Sequence, residues 1–125
     1  MLRRSVGWGA VLVLLLAACS DSTKSSADGC AEVIAVDATV GAEGTTTFSV
    51  TIRSDDIGWD GYADRWEVVE GDEVIGERVL THPHVEEQPF TRSQSGIAVH
   101  ADEVVVRAHH SVGGFCGAEM LVPID

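Results

Sequence analysis

Two apolar-rich runs, Ala63–Glu70 and Val74–Leu80, stand on either side of Gly71-Asp72-Glu73. A glycine-led turn between two such runs predicts a strand, a tight turn and a returning strand. This hairpin is the feature that most constrains the fold. A lone hairpin is marginal in water, so the rest of the chain must supply further strands and a second face to bury the apolar side chains.

The sequence offers those strands. Glu32–Val40 is apolar and rich in β-branched residues, and Gly41-Ala42-Glu43-Gly44 turns the chain. In Thr45–Arg53, Phe48, Val50 and Ile52 alternate with Thr47, Ser49 and Thr51, which gives one buried and one wet face. Within the hairpin, Trp66 and Val68 share one face, and Arg65, Glu67 and Val69 the other. Pro83 and Pro89 keep Thr81–Gln88 out of a central strand because they lack the ladder donor. A short strand is expected around Ser93–Val99, another over Glu103–His110 with Val104, Val106 and Ala108 on one face, and a last one over Ala118–Ile124, where Pro123 suits an edge. Seven short strands, turn signals about every 8–12 residues and no helical period after the leader predict an all-β, antiparallel sandwich of immunoglobulin or fibronectin type III kind. A small barrel is the alternative.

Running such strands up and down puts the start of the first strand at one end, here called the top. The loops Ser54–Tyr62, Thr81–Arg92 and Ser111–Gly117 then lie at the same end. Cys30 opens the first strand and Cys116 opens the last, so both also sit at the top. One disulfide between them is expected in an exported domain, with free thiols or metal thiolates as the alternatives. Closing so long a loop is worth about 4–5 kcal/mol in the chain-entropy model.

Arg3 and Arg4 precede a short apolar run, Val6 to Ala18, too short to span a bilayer comfortably. It ends in Leu16-Ala17-Ala18-Cys19, which resembles a bacterial lipobox. That resemblance implies removal of residues 1–18, acylation of Cys19 with diacylglycerol and palmitate, and a domain held on the extracytoplasmic side of a cell membrane. Residues 19–29, small and polar, read as a tether, and residues 30–125 as one β-sandwich domain.

The chain carries 20 acidic and eight basic residues, a formal net charge of −12. Removal of Arg3 and Arg4 with the leader makes it more negative. Such a surface repels nucleic acid and suits cations or basic partners, although solubility alone accounts for it.

The top loops gather the residues with chemical potential. Candidate binding residues are Trp59, Asp60, Tyr62, His82, His84, Glu86, Phe90 and Arg92. Imidazoles suit copper and zinc, and Pro83 would stiffen the spacing of His82 and His84, so these two with His109 or His110 form a candidate metal set. The alternatives for these histidines are capping of loop carbonyls, exposure to solvent, or a partner interface. Trp59, Tyr62 and Phe90 could form an aromatic platform or close the end of the core. Arg92 is expected to pair with Asp64 or Glu86. Asp55 and Asp56 are adjacent loop carboxylates, expected to be solvated rather than catalytic. No G-x-S-x-G, phosphate loop or dinucleotide fingerprint occurs. These observations favour a non-catalytic binding or interaction module with a protein partner in the envelope over an enzyme.

Two resemblances bear on this reading. The segment from Gly58 to Gly117 contains Trp59-Asp60-Gly61-Tyr62-Ala63-Asp64-Arg65-Trp66, then His82-Pro83-His84-Val85-Glu86-Glu87-Gln88-Pro89-Phe90-Thr91-Arg92-Ser93, then Val106-Arg107-Ala108-His109. It resembles a family of small exported bacterial proteins of unknown function, which implies a sandwich domain and supplies no activity. More distantly, the order of hairpin, proline-containing loop and V-x-V-R-A strand is similar to the iron domain of desulfoferrodoxin-type superoxide reductases. At the matching positions this chain has Gly61-Tyr62, His110 and Gly113, so the ligand set is largely missing. The likeness implies an immunoglobulin-like fold and argues against superoxide reduction.

Overall fold

The computed structural model describes residues 29–124. Seven strands follow one another: β1 (Ala31–Val40), β2 (Thr45–Ser54), β3 (Ala63–Glu70), β4 (Glu73–Val79), β5 (Phe90–Ala98), β6 (Glu103–His110) and β7 (Met120–Pro123). All pairings are antiparallel. They form a three-stranded sheet, β1-β2-β5, against a four-stranded sheet, β4-β3-β6-β7. This is the expected sandwich. The fourth strand joins the third, not the β1-β2-β5 sheet as it would in an immunoglobulin constant domain.

The core follows from period-two alternation. Phe48, Val50 and Ile52 of β2 face Trp66 and Val68 of β3 and Val104, Val106 and Ala108 of β6, all buried. Phe90, Ile97, Leu80 and Val122 close the sides. The hairpin turn is tighter than expected. Glu70 pairs with Glu73, leaving Gly71-Asp72 as a two-residue loop with Gly71 at φ +63°. A glycine at the first central position is what a type II′ turn requires.

Three of the four register shifts explain where the alternation fails. In β1 the register slips between Val33 and Ala35, so Ala31 and Val33 point inward before Ile34, and Val36 and Ala38 after it. In β5 an extra residue sits opposite Thr46–Phe48, at Gly96 with φ +75°, a conformation open to glycine at little cost. This strand starts at Phe90, earlier than the expected Ser93, because Phe90 pairs with Ile52. In β3 the slip falls between Ala63 and Arg65, at Asp64.

Cys30 and Cys116 are joined, with Cα atoms 5.3 Å apart and a sequence separation of 86. The bond ties the entry of β1 to the loop before β7. At that lateral edge the Val33 N–H donates to Ala118 O at 2.9 Å. At the other lateral edge, between β4 and β5, the Arg78 guanidinium donates to Ser93 O. The expected leader and the acylated Cys19 lie outside the described residues.

Candidate functional site

The top end is assembled around a buried carboxylate. Asp56 is only 7% exposed. Its Oδ1 accepts the Ser54 hydroxyl at 2.6 Å and the Ala63 N–H at 3.0 Å, and its Oδ2 accepts the His84 N–H at 2.8 Å. One side chain thus ties the end of β2, the start of β3 and the loop between β4 and β5. This corrects the expectation of two solvated loop carboxylates: Asp55 is exposed, whereas Asp56 turns inward with β2 and meets backbone donors that have no ladder partner. Gln88 adds a second tie, accepting the Ser54 N–H at 2.8 Å and donating to His84 O at 2.9 Å.

His84 stands at the centre of the β4–β5 loop. It is 5% exposed and stacks on Phe90, ring centroids 3.9 Å apart and planes at 11°. Its Nε2 lies 3.1 Å from Arg92 Nη2. A guanidinium can only donate, so Nε2 is the acceptor and the proton is on Nδ1. That buried Nδ1–H has no partner. Burial, then the charges of Arg92 and His82, hold His84 below the ordinary imidazole range. His82 is exposed, with its ring 4.6 Å from that of His84. The loop also exposes Val85, Glu86 and Glu87.

Arg92 pairs with Glu87 at 3.2 Å, not with Asp64 or Glu86. Asp64 is unavailable because the β3 bulge turns it toward His109, whose Nδ1 lies 2.7 Å from Asp64 Oδ1. His109 and His110 point to opposite faces of β6. His109 meets Phe115 edge-on at 4.8 Å, while His110 is 1% exposed at the end of the core. His110 Nδ1 accepts the Val112 N–H at 3.1 Å, so Nε2 carries a proton, and that buried group also lacks a partner. Burial lowers its pKa, against the pull of Asp56 and Asp64. The structure therefore brings His82 and His84 together and leaves His109 and His110 elsewhere. Among the described residues, no three His, Cys, Asp or Glu side chains converge as a metal-holding group.

The aromatic trio divides. Phe90 is core, 1% exposed, whereas Trp59 is 68% exposed and meets Tyr62 edge-on at 5.5 Å. Trp59 and Asp60 form the tip of a tight turn closed by the Gly61 N–H donating to Gly58 O at 3.1 Å. Beside this turn, Gly29, Asp55, Ile57, Gly61, His110 and Val112 line a cleft of about 300 Å³.

On the outer face of the four-stranded sheet lies a cluster the sequence did not announce. Glu67, 6% exposed, accepts from Arg65 at 2.9 Å and from Arg107 at 2.8 Å. Phe115 covers it, with the Arg107 guanidinium 4.1 Å from its ring centroid. The two arginines hold the Glu67 carboxyl below its usual range, against the opposing effect of burial. Arg65 also reaches Glu77 at 3.4 Å, so each arginine of the cluster has a carboxylate partner.

A protein of Halomicrobium mukohataei named "Putative lipoprotein" is 40% identical over 111 residues, covering 85% of this chain. The chain spans only 54%, about half, of that relative's length. No family model matches the chain, and no solved structure does.

Proposed function

We propose, taking the likeness to a lipoprotein as the premise, that this chain is a lipid-anchored protein of the cell envelope. In this reading residues 1–18 are a leader, Cys19 carries the acyl chains, and the sandwich stands on the outer side as a non-catalytic binding module. The contact surface is the Thr81–Arg92 loop at the top end, and the partner is a protein of the envelope. The high negative charge disfavours nucleic acid.

The observation that carries this reading is the pinning of His84 to Asp56. A connection this long has no regular structure of its own, yet a buried hydrogen bond to Asp56 and half-buried ones through Gln88 fix its shape. The exposed His82, Val85, Glu86 and Glu87 are therefore held ready, and a partner need not meet the cost of ordering them. A copper or zinc site on His82 and His84 has less geometric support. The Arg92 cation already occupies His84 Nε2, and the other imidazole nitrogen is buried.

Two changes test the reading in cells. Cys19→Ala should move the protein from the membrane fraction to the soluble one. His82→Ala with Glu86→Ala should abolish partner crosslinking while the purified domain unfolds at an unchanged temperature. Unchanged crosslinking would remove this loop as the contact surface.

A further inference from the structure

Ile57, Trp59 and Val112 are 72%, 68% and 68% exposed, and all three belong to the top loops. Ile57 and Val112 both line the cleft that Gly29 also lines. A Cβ on Gly29 would lie 3.4 Å from Val112 Cγ1, so the chain enters the domain in contact with this patch. Trp59 stands two residues from Ile57 at the tip of the Gly58–Gly61 turn, propped by Tyr62. Each group is too large and too apolar to be exposed without cost, and together they sit at one end of the sandwich.

The position of this patch decides what meets it. Cys19 is ten residues before Gly29, so a fully extended chain between them reaches about 35 Å at most. A strand of ten residues is itself roughly 34 Å long. A domain tethered at Cys19 can turn its far end to the lipid only by laying that whole segment along its own length. The top end needs none of it. Anchoring also makes contact intramolecular, so a patch too weak to bind a membrane from solution is presented at high effective concentration.

The geometry points to the Ile57–Trp59–Val112 patch as a lipid-docking surface that seats the top end of the domain in the interfacial layer of the membrane. This rests on the reading of Cys19 as the anchor. Tryptophan is suited to that layer because its ring is apolar and its N–H polar. Asp55 and Asp60 remain at the level of the headgroups, where they face ammonium groups and disfavour anionic lipid. The Thr81–Arg92 loop joins β4 to β5 at the lateral edge away from β1 and β7, and its outward face is left to meet a partner close to the membrane surface.

The test couples residues 19–125, disulfide formed, through the Cys19 thiol to a maleimide lipid in phosphatidylcholine vesicles. Chemical coupling separates this question from acylation in the cell, which the mass of the mature protein reads independently. Trp66 is fully buried, so quenching by acrylamide reports Trp59. On anchoring, acrylamide quenching should fall at least two-fold, and lipid brominated in the acyl chains should quench the emission. The pair Ile57→Asp and Val112→Asp should lose both effects without a change in unfolding temperature. The domain anchored instead through a cysteine added after Asp125, with Cys19→Ser, should show neither effect. Unchanged acrylamide quenching on anchoring would overturn the proposal. So would shielding without quenching by brominated lipid, since that would place Trp59 against another copy of the domain.

Discussion

Asp56 Oδ2 accepts the backbone N–H of His84 at 2.8 Å, across 28 residues of sequence. This bond converts a long loop into part of the frame. Asp56→Ala would leave the Ala63 and His84 N–H groups buried without acceptors. The expected loss is about 2–5 kcal/mol in denaturant unfolding. Amide exchange should identify where the loss falls, with the His84 N–H exchanging much faster while the β2 and β3 ladder amides change only with global stability.

Much of this fold is legible in the residues themselves. Phe48, Val50 and Ile52 announce β2, and Gly71 announces the hairpin. The disulfide follows from placing Cys30 and Cys116 at one end. What escapes is set by bulges and by burial of charge. One inserted residue reverses every later side chain in a strand, so Ile34, Asp64 and Gly96 hide the phase of β1, β3 and β5. Asp56 escapes because its sequence neighbour Asp55 is indeed solvated, and nothing local tells the two apart. His110 was readable: it continues the inward series Val104, Val106, Ala108, which also sends His109 outward. The partner of Arg92 was not readable, because it depends on the path of the Thr81–Pro89 loop.

Acidification should destabilise the domain in two stages. His84 and His110 are both held below their ordinary pKa in the folded state. The unfolded chain takes up these protons near pH 6.5 and the folded one does not. The stability they contribute is present above pH 6.5 and is lost as the pH falls toward their folded values. Each group adds a slope of up to about 1.4 kcal/mol per pH unit in that window. Glu67, also lowered, then adds a loss as the pH falls below the ordinary carboxylate range. Urea midpoints from pH 8 to pH 4 would show the first decline, and His110→Gln should flatten it.

The entry of β1 and the loop before β7 are packed backbone to backbone. A methyl on Gly117 would run into the Ala31 carbonyl, and one on Gly113 into the Gly29 carbonyl. Because backbone cannot swing aside, Gly117→Ala should destabilise by about 1–3 kcal/mol. Paired replacement of Cys30 and Cys116 by Ala should cost about 4–5 kcal/mol, the entropy of the closed loop. Thermal unfolding of the three proteins would rank them wild type, Gly117→Ala, then the double cysteine variant.

The most direct test of the binding role is photo-crosslinking in cells from single positions around the sandwich. A photoreactive residue at Val85, in the exposed β4–β5 loop, is compared with one at Asp72, in the turn at the opposite end. A discrete crosslinked protein from Val85 and none from Asp72, with the product lost in His82→Ala/Glu86→Ala, is the predicted result. Equal products from both positions, or none from Val85, would contradict a binding module that works through the Thr81–Arg92 loop.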